Sequence, residues 1–453
     1  MLLAKNWKWY HLVEEFSILR IRMTKDKEEH LLKPNRYSGS LTIAGEAHPV
    51  SFSAEAGCDN RCCIALDPIE KHTYLLLHQH FGRTGTRQEL FELTGTADNG
   101  DTFASNSVSI SGFGANNDGF HATLSLQEAT VSVGLPEEIQ RPVLRRFFRG
   151  FRSYRNSVLH TPLGDVLVSG SEKSLSPDEV SGDVAVQAPA GFQGEDWKER
   201  AEAFLSHMHI GLSFAHGGRL QTPRVDFISG NRWHTTFHAG SGFKAEMALQ
   251  HFLYHDPFIK ALVEGYFNNG PLHEGFVTAL GWLQLPTTFD EVRFISAMTA
   301  LEVIVDTQLP RAEKGGMMKT SDFRALRDKL NQTIDDVPGV SSEAKAILKA
   351  KIEDANKKVL SQKIDALFER LAIPRRDFDS DTVKRLTKVR NEIVHRGIIP
   401  DATDIWTEII LIRELINRIL MGAIGFAGRY CCYIGGEHER TFPDLNDFPP
   451  KES

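Results

Sequence analysis

Hydrophobic and polar residues alternate along short stretches in the first half of the chain. Alternation with a period of two is typical of strands that bury one face of a sheet. Turn signals separate some of the stretches, at 98–100 and at 118–119. The stretches lie at 40–43, 74–77, 107–110, 122–126, 224–228 and 234–238. This pattern predicts an antiparallel β-rich domain, either a sandwich or a barrel-like arrangement.

From about residue 245 the apolar positions recur at helical spacing instead. Helices are predicted at 246–254, ending near Pro257, and within the charged stretch 342–371. One further helix is predicted earlier, at 196–207. We therefore expect an α+β multidomain protein in which the antiparallel β-rich domain is followed by an all-α helical bundle.

The predicted domain boundaries follow these changes of pattern and composition. A segment rich in Ser, Gly and Pro predicts a linker or long loop. The expected division is a β-rich recognition domain at 1–168, the linker at 169–194, a mixed α/β extension at 195–244, the all-α domain at 245–434 and a C-terminal tail at 435–453.

The best-patterned helix is predicted at 381–396. Ser380 is a suitable N-cap, and Gly397 is suited to the position behind the last turn. One apolar stripe at helical spacing predicts the buried face of this amphipathic helix. The stripe consists of Val383, Leu386, Val389, Ile393 and, at its margin, Val394.

Polar residues on the same helix suggest a chemical function. Arg390 projects from within the apolar stripe, where a guanidinium is costly unless it is paired or lines a cleft. Asn391 and His395 are spaced i and i+4 on the adjoining face, together with Lys384 and Lys388. The helix is thus expected to carry a cationic strip beside a buried arginine.

Two observations compete with a catalytic interpretation. His395 and Arg396 followed by Gly397 also suit any helix end, because cations there satisfy the carbonyls and the helix dipole. The same six-residue pattern occurs a second time, at 155–160, where it runs into the turn signal 161–164.

The spacing Arg390-Asn391-x3-His395 on the penultimate long helix resembles the R-x4–6-H signature of HEPN ribonucleases. With an opening helix at 294–305 and a long β-rich region ahead of both, the chain is similar to the Apea-like HEPN group. The helical part of this likeness covers roughly 245–430. It implies a HEPN fold, a composite active site at a homodimer interface, and metal-independent RNA cleavage in prokaryotic defence against phage. Host RNA such as tRNA would be the target, and a phage-derived molecule the activator.

The residues themselves fit this chemistry. Internal attack on RNA needs a base for the 2′-OH, an acid for the leaving 5′-oxygen and positive charge at the phosphorus. His395 can act as base or acid, Arg390 can hold the phosphoryl oxygens, and Asn391 can orient the phosphate or the imidazole. The expected products are a 2′,3′-cyclic phosphate and a 5′-OH. RNA-binding residues are expected at Lys384, Lys388 and Arg396.

Glu302 is the expected partner of Arg390. It lies in an otherwise apolar helix stripe, as Arg390 does on its own helix. Opposite charges in two such stripes are expected to form an ion pair. The alternative is that Glu302 faces solvent at the edge of the stripe.

Composition also bears on RNA binding, on the cellular location and on membrane spans. The formal net charge of −7 gives no overall nucleic-acid signature, so RNA affinity would have to come from local patches. The five cysteines have no metal-finger spacing, and their odd number without a secretory signal predicts a cytoplasmic protein. No metal or other cofactor is expected, in keeping with the metal-independent cleavage that the resemblance implies. No membrane span is expected, because Arg413, Glu414 and Arg418 interrupt the apolar run 409–426.

Other candidates have simpler explanations. The stretch 144–154 predicts an amphipathic helix that packs its aromatic rings inward and exposes Arg145, Arg149 and Arg152 on one face. It is also a candidate RNA or partner surface. Three histidine pairs have ligand-like spacing but no third ligand, and are expected to be structural or surface residues. They are His78 with His80 on a strand face, His207 with His209, and His251 with His255 at helical spacing.

These observations together favour an endoribonuclease whose N-terminal region senses a signal or restrains the activity. One alternative is a non-catalytic HEPN-like module that binds RNA or protein, with a ligand sensor in the β-rich domain. Another is a ligand-binding β domain, for a carbohydrate for example, with a helical oligomerisation domain.

Overall fold

The structure is a computed structural model that describes residues 35–56, 62–80, 90–116, 119–173, 176–192, 196–243, 245–285, 287–310, 316–400 and 403–444. The chain divides into two compact units. The first unit contains the described residues up to His209 together with Leu220–Ala245, and the second contains Ile210–Arg219 and the chain from Glu246 onward.

The first unit is built mainly from antiparallel strands. Its strands are β1 (Asn35–Ile43), β2 (Glu46–Ala56), β3 (Cys62–Ile69), β4 (Phe91–Ala97), β5 (Thr102–Asn116), β6 (Gly119–Leu126), β7 (Glu128–Arg149), β8 (Ser157–Thr161), β9 (Gly164–Ser169), β10 (Val180–Gln187) and β11 (Arg224–His238). Its helices are α1 (Lys71–His80) and the first part of α2 (Trp197–His216). The predicted N-terminal β-rich region is thereby confirmed.

Six of the strands close into a ring in the order β4-β1-β2-β3-β6-β5, because β5 pairs back with β4. Tyr37, Phe52 and Phe103 pack inside it with ring centroids 5.2–5.6 Å apart. Gly39 allows the close approach of β1 and β4, since a Cβ there would overlap the Thr94 carbonyl. The long strand β7 leaves the ring and pairs with β10 and β11, and β10 continues to β9 and β8.

Two predicted elements of this unit are wrong. Residues 74–77 belong to helix α1, whose Thr73 and Leu77, one turn apart, are buried. His78 and His80 therefore lie on a helix and not on a strand face. The predicted linker 169–194 contains β10, which is buried along almost its whole length between β7 and β9. A strand buried on both faces shows no alternation, so its pattern does not indicate a strand.

The predicted helix at 144–154 is also wrong, because its first part is the end of β7. Arg145 and Phe147 lie on one face of this strand, where Arg145 pairs with Asp183 at 2.9 Å. The Arg145 and Arg224 guanidiniums lie 4.3 and 4.7 Å from the Phe147 ring centroid. Arg149 is only 3% exposed. Arg145 and Arg149 therefore do not form the exposed helical face that the sequence predicts.

Further along, the helix predicted at 196–207 is confirmed as part of α2. The strand stretches 224–228 and 234–238 are confirmed as the two ends of the single strand β11. The pairing of β11 with β7 is irregular on both sides of Gly230, which has a positive φ of 57°.

Helices dominate the second unit. They are α3 (His255–Asn269), α4 (Glu274–Leu283), α5 (Asp290–Gln308), α6 (Thr320–Asp336), α7 (Ser342–Asp354), α8 (Leu360–Arg370), α9 (Ser380–Arg396) and α10 (Ile405–Ala423). Helix α5 packs against α4, α8, α9 and α10, and buries Phe294, Leu301 and Ile304 among them. The predicted helical C-terminal part is confirmed.

Three details of this unit differ from the prediction. No α-helix spans 246–254, where only a 3₁₀ turn (Phe252–Tyr254) precedes α3. Pro257 lies in the first turn of α3 and does not end a helix, since the first-turn nitrogens need no intrahelical acceptor. The region 245–434 is not all-α, because β12 (Gly428–Cys432) pairs with β13 (His438–Phe442), a strand in the expected tail. The helical prediction for 342–371 is confirmed, with the two helices α7 and α8 in this stretch.

No helix in the described part of the chain combines the length and the apolar character that crossing a lipid bilayer demands.

His255, at the start of α3, gives the second unit an expected pH dependence. Its imidazole is buried and donates a hydrogen bond to the Gln250 carbonyl at 3.4 Å. Burial lowers the pKa of His255 to about 4, below the value near 6.5 of an unfolded histidine. The unfolded chain then binds the proton first as the pH falls. The resulting stability is complete above about pH 6.5 and is lost towards pH 4, with a total loss of about 3 kcal/mol.

The measurement is urea unfolding of the wild type and of His255→Gln at pH 7 and pH 4.5. We expect the wild type to lose more free energy of unfolding than the variant over this interval. An equal loss in both proteins would contradict a neutral, buried His255.

Candidate functional site

Helix α9 has the boundaries that its sequence predicts, with one correction at its start. The N-cap is Asp379 and not Ser380, because the Asp379 carboxylate accepts the Thr382 N–H at 2.7 Å. This backbone hydrogen bond lowers the pKa of Asp379. At the other end Gly397 adopts a left-handed φ of 70° and donates its N–H to the Ile393 carbonyl at 2.8 Å. Both ends of the helix are therefore fixed by local hydrogen bonds.

The apolar face of α9 is buried as predicted, except at its margin. Helix α9 packs against α5 and α8. Val383, Leu386, Val389 and Ile393 are buried, whereas Val394 is half exposed. Arg385 pairs with the buried Glu408 of α10 at 2.8 Å. The position of α9 thus depends on three neighbouring helices.

Arg390 lies beside this buried face, and Glu302 of α5 is its partner. The Arg390 Nε lies 3.5 Å from the Glu302 Oε1, which confirms the predicted pair. The Arg390 Nη1 also donates to the Asn391 Oδ1 at 3.3 Å. Arg390 is 35% exposed and Glu302 39%, so the expectation of a buried arginine is wrong. A half-exposed guanidinium held by one carboxylate still has donors directed to solvent.

His395 lies in the last turn of α9 and is exposed. Within the described residues its imidazole has no hydrogen-bond or ion-pair partner. The structure therefore links Arg390, Asn391 and Glu302 by direct contacts and leaves His395 outside them. The exposed apolar side chains of Val394 and Ile398 lie near His395 in the sequence.

The three predicted RNA-binding cations differ in their surroundings. Lys384 pairs with Asp381 at 3.4 Å, and Arg396 pairs with Glu392 at 2.9 Å. Both are surface pairs that a phosphate could displace at small cost. Lys388 is exposed and has no ion-pair partner among the residues that the structure describes.

No family model, curated protein or solved structure matches this chain.

Three histidines of the predicted pairs have structural positions or partners. His207 is buried in α2, and His209 donates to the Leu220 carbonyl at 2.5 Å. The His251 Nδ1 accepts the Leu253 N–H and caps the 3₁₀ turn. Among the described residues no group of three or more His, Cys, Asp or Glu side chains is arranged to hold a metal ion.

The second copy of the six-residue pattern lies in a different environment. His160 is on strand β8, highly exposed, and its Nδ1 lies 2.8 Å from the Asp165 carboxylate. Thr161 and Gly164 pair across the predicted turn that joins β8 to β9. This copy therefore has no helical surface around it.

The sequence interpretation missed a buried polar cluster around Arg418 of α10. Arg418 is 3% exposed and pairs with Glu414 and with Asp377, each at 2.8 Å. The Tyr430 hydroxyl donates to Glu414 at 2.7 Å, and Arg440 of β13 also binds Asp377. Burial would raise the pKa of Asp377, but the hydrogen bonds from Arg440 and Arg418 lower it below its usual value. The available signal was the i,i+4 spacing of Glu414 and Arg418 inside an apolar run.

This cluster holds the loop that leads into α9. Asp377 precedes the Asp379 N-cap by two residues and has a φ of +68°, a strained conformation for a residue with a side chain. Arg418 from α10 and Arg440 from the hairpin both bind its carboxylate. The start of the candidate catalytic helix is thus anchored by a buried ionic cluster.

Proposed function

We propose that the helical unit is a metal-independent endoribonuclease of the HEPN type, with its active site on α9. The observation that carries the proposal is the Arg390–Glu302 ion pair, held beside Asn391 on a helix whose last turn presents an imidazole without a partner among the described residues. A fixed guanidinium and an accessible imidazole are the groups needed to cleave RNA through its own 2′-OH.

The proposed reaction has one step at phosphorus. The 2′-oxygen attacks and loses its proton to a base, while the bond from phosphorus to the 5′-oxygen breaks and that oxygen takes a proton from an acid. Arg390 holds the phosphoryl oxygens, and Glu302 fixes the direction of its guanidinium. Asn391, which accepts a hydrogen bond from Arg390, orients the phosphate. The products are a 2′,3′-cyclic phosphate and a 5′-OH, and no cofactor takes part.

A second copy of the chain completes the site. One chain offers a single His395, whereas the reaction needs both a base and an acid. A homodimer formed through the helical unit supplies two imidazoles, and it also covers the exposed Val394 and Ile398 beside them. Lys388, Lys384 and Arg396 extend the cationic surface of α9 along the RNA backbone.

The proposed biological role is defence of a prokaryotic cell against phage by cleavage of host RNA, with tRNA as one candidate. The β-rich unit then senses a phage-derived activator or restrains the nuclease. Restraint follows from the chemistry, because an unregulated ribonuclease would damage its own host.

The test of the function is incubation of the purified wild-type protein with total cellular RNA in EDTA, followed by sequencing of new 5′-OH ends. We expect cuts that survive chelation and that disappear in His395→Ala. Equal cutting by both proteins would overturn the proposal. It would favour the non-catalytic RNA- or protein-binding module instead.

Arg390 provides a separate prediction. Arg390→Lys is expected to lower the single-turnover cleavage rate by about 10²-fold, because an ammonium keeps the charge but cannot hold two phosphoryl oxygens in one plane. Arg385→Lys is the matched control on the same helix, since Arg385 pairs with Glu408 of α10 and has no place in the proposed site. An equal loss of rate in both variants would indicate a general effect on α9 and count against a phosphate-binding Arg390.

A further inference from the structure

A row of polar side chains covers one face of the paired strands β7 and β11 in the first unit. It consists of three directly opposed pairs, Ser132 with His234, Thr130 with Thr236 and Glu128 with His238. In this order, the polar side-chain atoms of the pairs lie 2.7, 3.1 and 3.3 Å apart. The residues that alternate with this row on β11 are buried on the opposite face of the sheet, namely Trp233, Thr235 and Phe237. The row therefore lies on the outer face of this part of the sheet.

Phe227 and His234 add an aromatic surface to the same face. Their rings are nearly parallel, at 18°, and their centroids lie 6.2 Å apart. Both residues are half buried, and the contact with Ser132 fixes the imidazole. Aromatic rings held on the face of an antiparallel sheet are a recurrent platform on which proteins stack the bases of single-stranded RNA.

Two exposed cations flank this aromatic pair. The Lys198 ammonium of α2 lies 4.8 Å from the Phe227 ring centroid, and Arg232 precedes His234 by two residues on β11. Burial lowers the pKa of His234, and the charges of Lys198 and Arg232 lower it further. Both cations therefore act on the imidazole. Arg232 has no ion-pair partner among the residues that the structure describes, whereas Lys198 pairs with Glu202 at 3.7 Å.

The carboxylates at this face do not prevent the binding of an anion. Glu202 is paired with Lys198 and Glu128 with His238, and both are surface pairs that a phosphate displaces at small cost. With a formal net charge of −7, the chain can bind RNA only through local patches of this kind. Cations beside stacked rings are the combination found in proteins that bind single strands.

We propose that the β7–β11 patch, formed by Ser132, Lys198, Phe227, Arg232 and His234, binds a segment of single-stranded RNA. The inference rests on the proposed function, which makes RNA the substrate, and it gives that RNA a contact outside α9. A base takes the place of the Lys198 ammonium on the Phe227 ring, because a stacked base contributes more to binding than an exposed cation on the same ring. Lys198 and Arg232 then bind the flanking phosphates. Duplex RNA is excluded from this contact, since its bases are stacked within the helix.

The test measures binding of a fluorescent single-stranded RNA of about 12 nucleotides to the full chain by fluorescence anisotropy. Every ribose of the probe is 2′-O-methylated. This probe lacks the attacking hydroxyl and cannot be cleaved, so its binding is measured whether or not the chain is a ribonuclease. We expect the wild type to bind the single strand more tightly than a duplex of the same sequence.

Phe227→Leu removes the aromatic ring but keeps an apolar side chain at this half-buried position. It is expected to weaken binding of the probe by about tenfold, because the stacked base loses its platform. Phe113→Leu is the matched control, since Phe113 is a half-buried phenylalanine on β5 of the same unit. The control should bind the probe as the wild type does. Urea unfolding of both variants shows whether each is folded.

Arg232→Ala tests the contact with phosphate. It is expected to reduce the slope of log affinity against log salt concentration by about 0.7, the share of one phosphate contact on a single strand. Arg36→Ala is the matched control, because Arg36 is an exposed arginine on strand β1. The salt dependence of the control should equal that of the wild type.

Four results would overturn the proposal. The first is no binding of the probe by the wild type. Equal affinities of Phe227→Leu and Phe113→Leu would place the RNA contact elsewhere. A weaker affinity of Arg232→Ala without any loss in Phe227→Leu would identify a general anion surface. Displacement of the probe by AMP as readily as by unlabelled RNA, at equal nucleotide concentration, would identify a site for free nucleotides.

Failure of the proposed ribonuclease gives a different result. The RNA would then stay uncut in the cleavage assay, while Phe227→Leu and Arg232→Ala would still weaken binding of the 2′-O-methylated probe.

Discussion

Replacing His395 with alanine is expected to lower the rate of RNA cleavage by about 10²- to 10⁴-fold, the usual contribution of a general acid or base. The effect on the free energy of unfolding should stay below about 1 kcal/mol, because a cation at an exposed helix end contributes no more than this through the dipole. The exposed side chain makes the two effects separable, since its removal leaves no buried cavity.

The matched control is His160→Ala. His160 ends the second copy of the same six-residue pattern and is also exposed, but it lies on strand β8 of the first unit. Its replacement should leave the cleavage rate unchanged. Rates should be measured under single-turnover conditions in EDTA, with unfolding in urea for both variants. A cleavage rate that falls equally in the two variants would refute a specific role of His395.

The largest effect on stability is expected for Arg418→Ala. Loss of the guanidinium leaves the carboxylate of Glu414, which is 2% exposed, without its cation, and breaking a buried ion pair in this way costs about 3–5 kcal/mol. Asp377 also loses one of its two arginine partners, so the loop before α9 loses part of its anchor.

Hydrogen exchange of the α10 and α9 amides is the appropriate measurement, because it reports the opening of these two helices directly. Arg396→Ala is the matched control. Arg396 also pairs with a glutamate at i,i+4 spacing, but at the surface, where such a pair contributes about 0.3–0.5 kcal/mol. Similar exchange in both variants would show that the buried cluster does not stabilise the second unit.

The sequence predicted α9 closely because its determinants are local. Its apolar stripe, its capping region and Gly397 all lie within the helix or next to it. The helical spacing of apolar residues also placed Arg390 and Glu302 in apolar stripes on two helices. This placement was enough to predict their ion pair. The pattern placed Val394 only at the margin of the stripe, and in the structure this side chain is exposed.

The segment 144–154 shows where local pattern fails. Its arginines at 145, 149 and 152 fit a helical face, whereas Arg145, Phe147 and Arg149 fit the face of a strand equally well. Pairing with β10 and β11 decides for the strand, and both partners lie far along the chain. Strand β10 was mistaken for a linker for a different reason. It is buried on both faces, so its residues do not alternate between polar and apolar.

The sequence by itself determined the order of a β-rich part and a helical part, the course of α9 and the pairing of Arg390 with Glu302. The tertiary structure alone decided which charges are buried. Arg390, expected in the interior, is half exposed, whereas Arg418, used only as evidence against a membrane span, is nearly inaccessible. The physical reason is that burial of a charge depends on partners from distant segments. Asp377 binds Arg418, Tyr430 binds Glu414 and Arg440 binds Asp377. These contacts form only after the loop and the hairpin have folded onto α10.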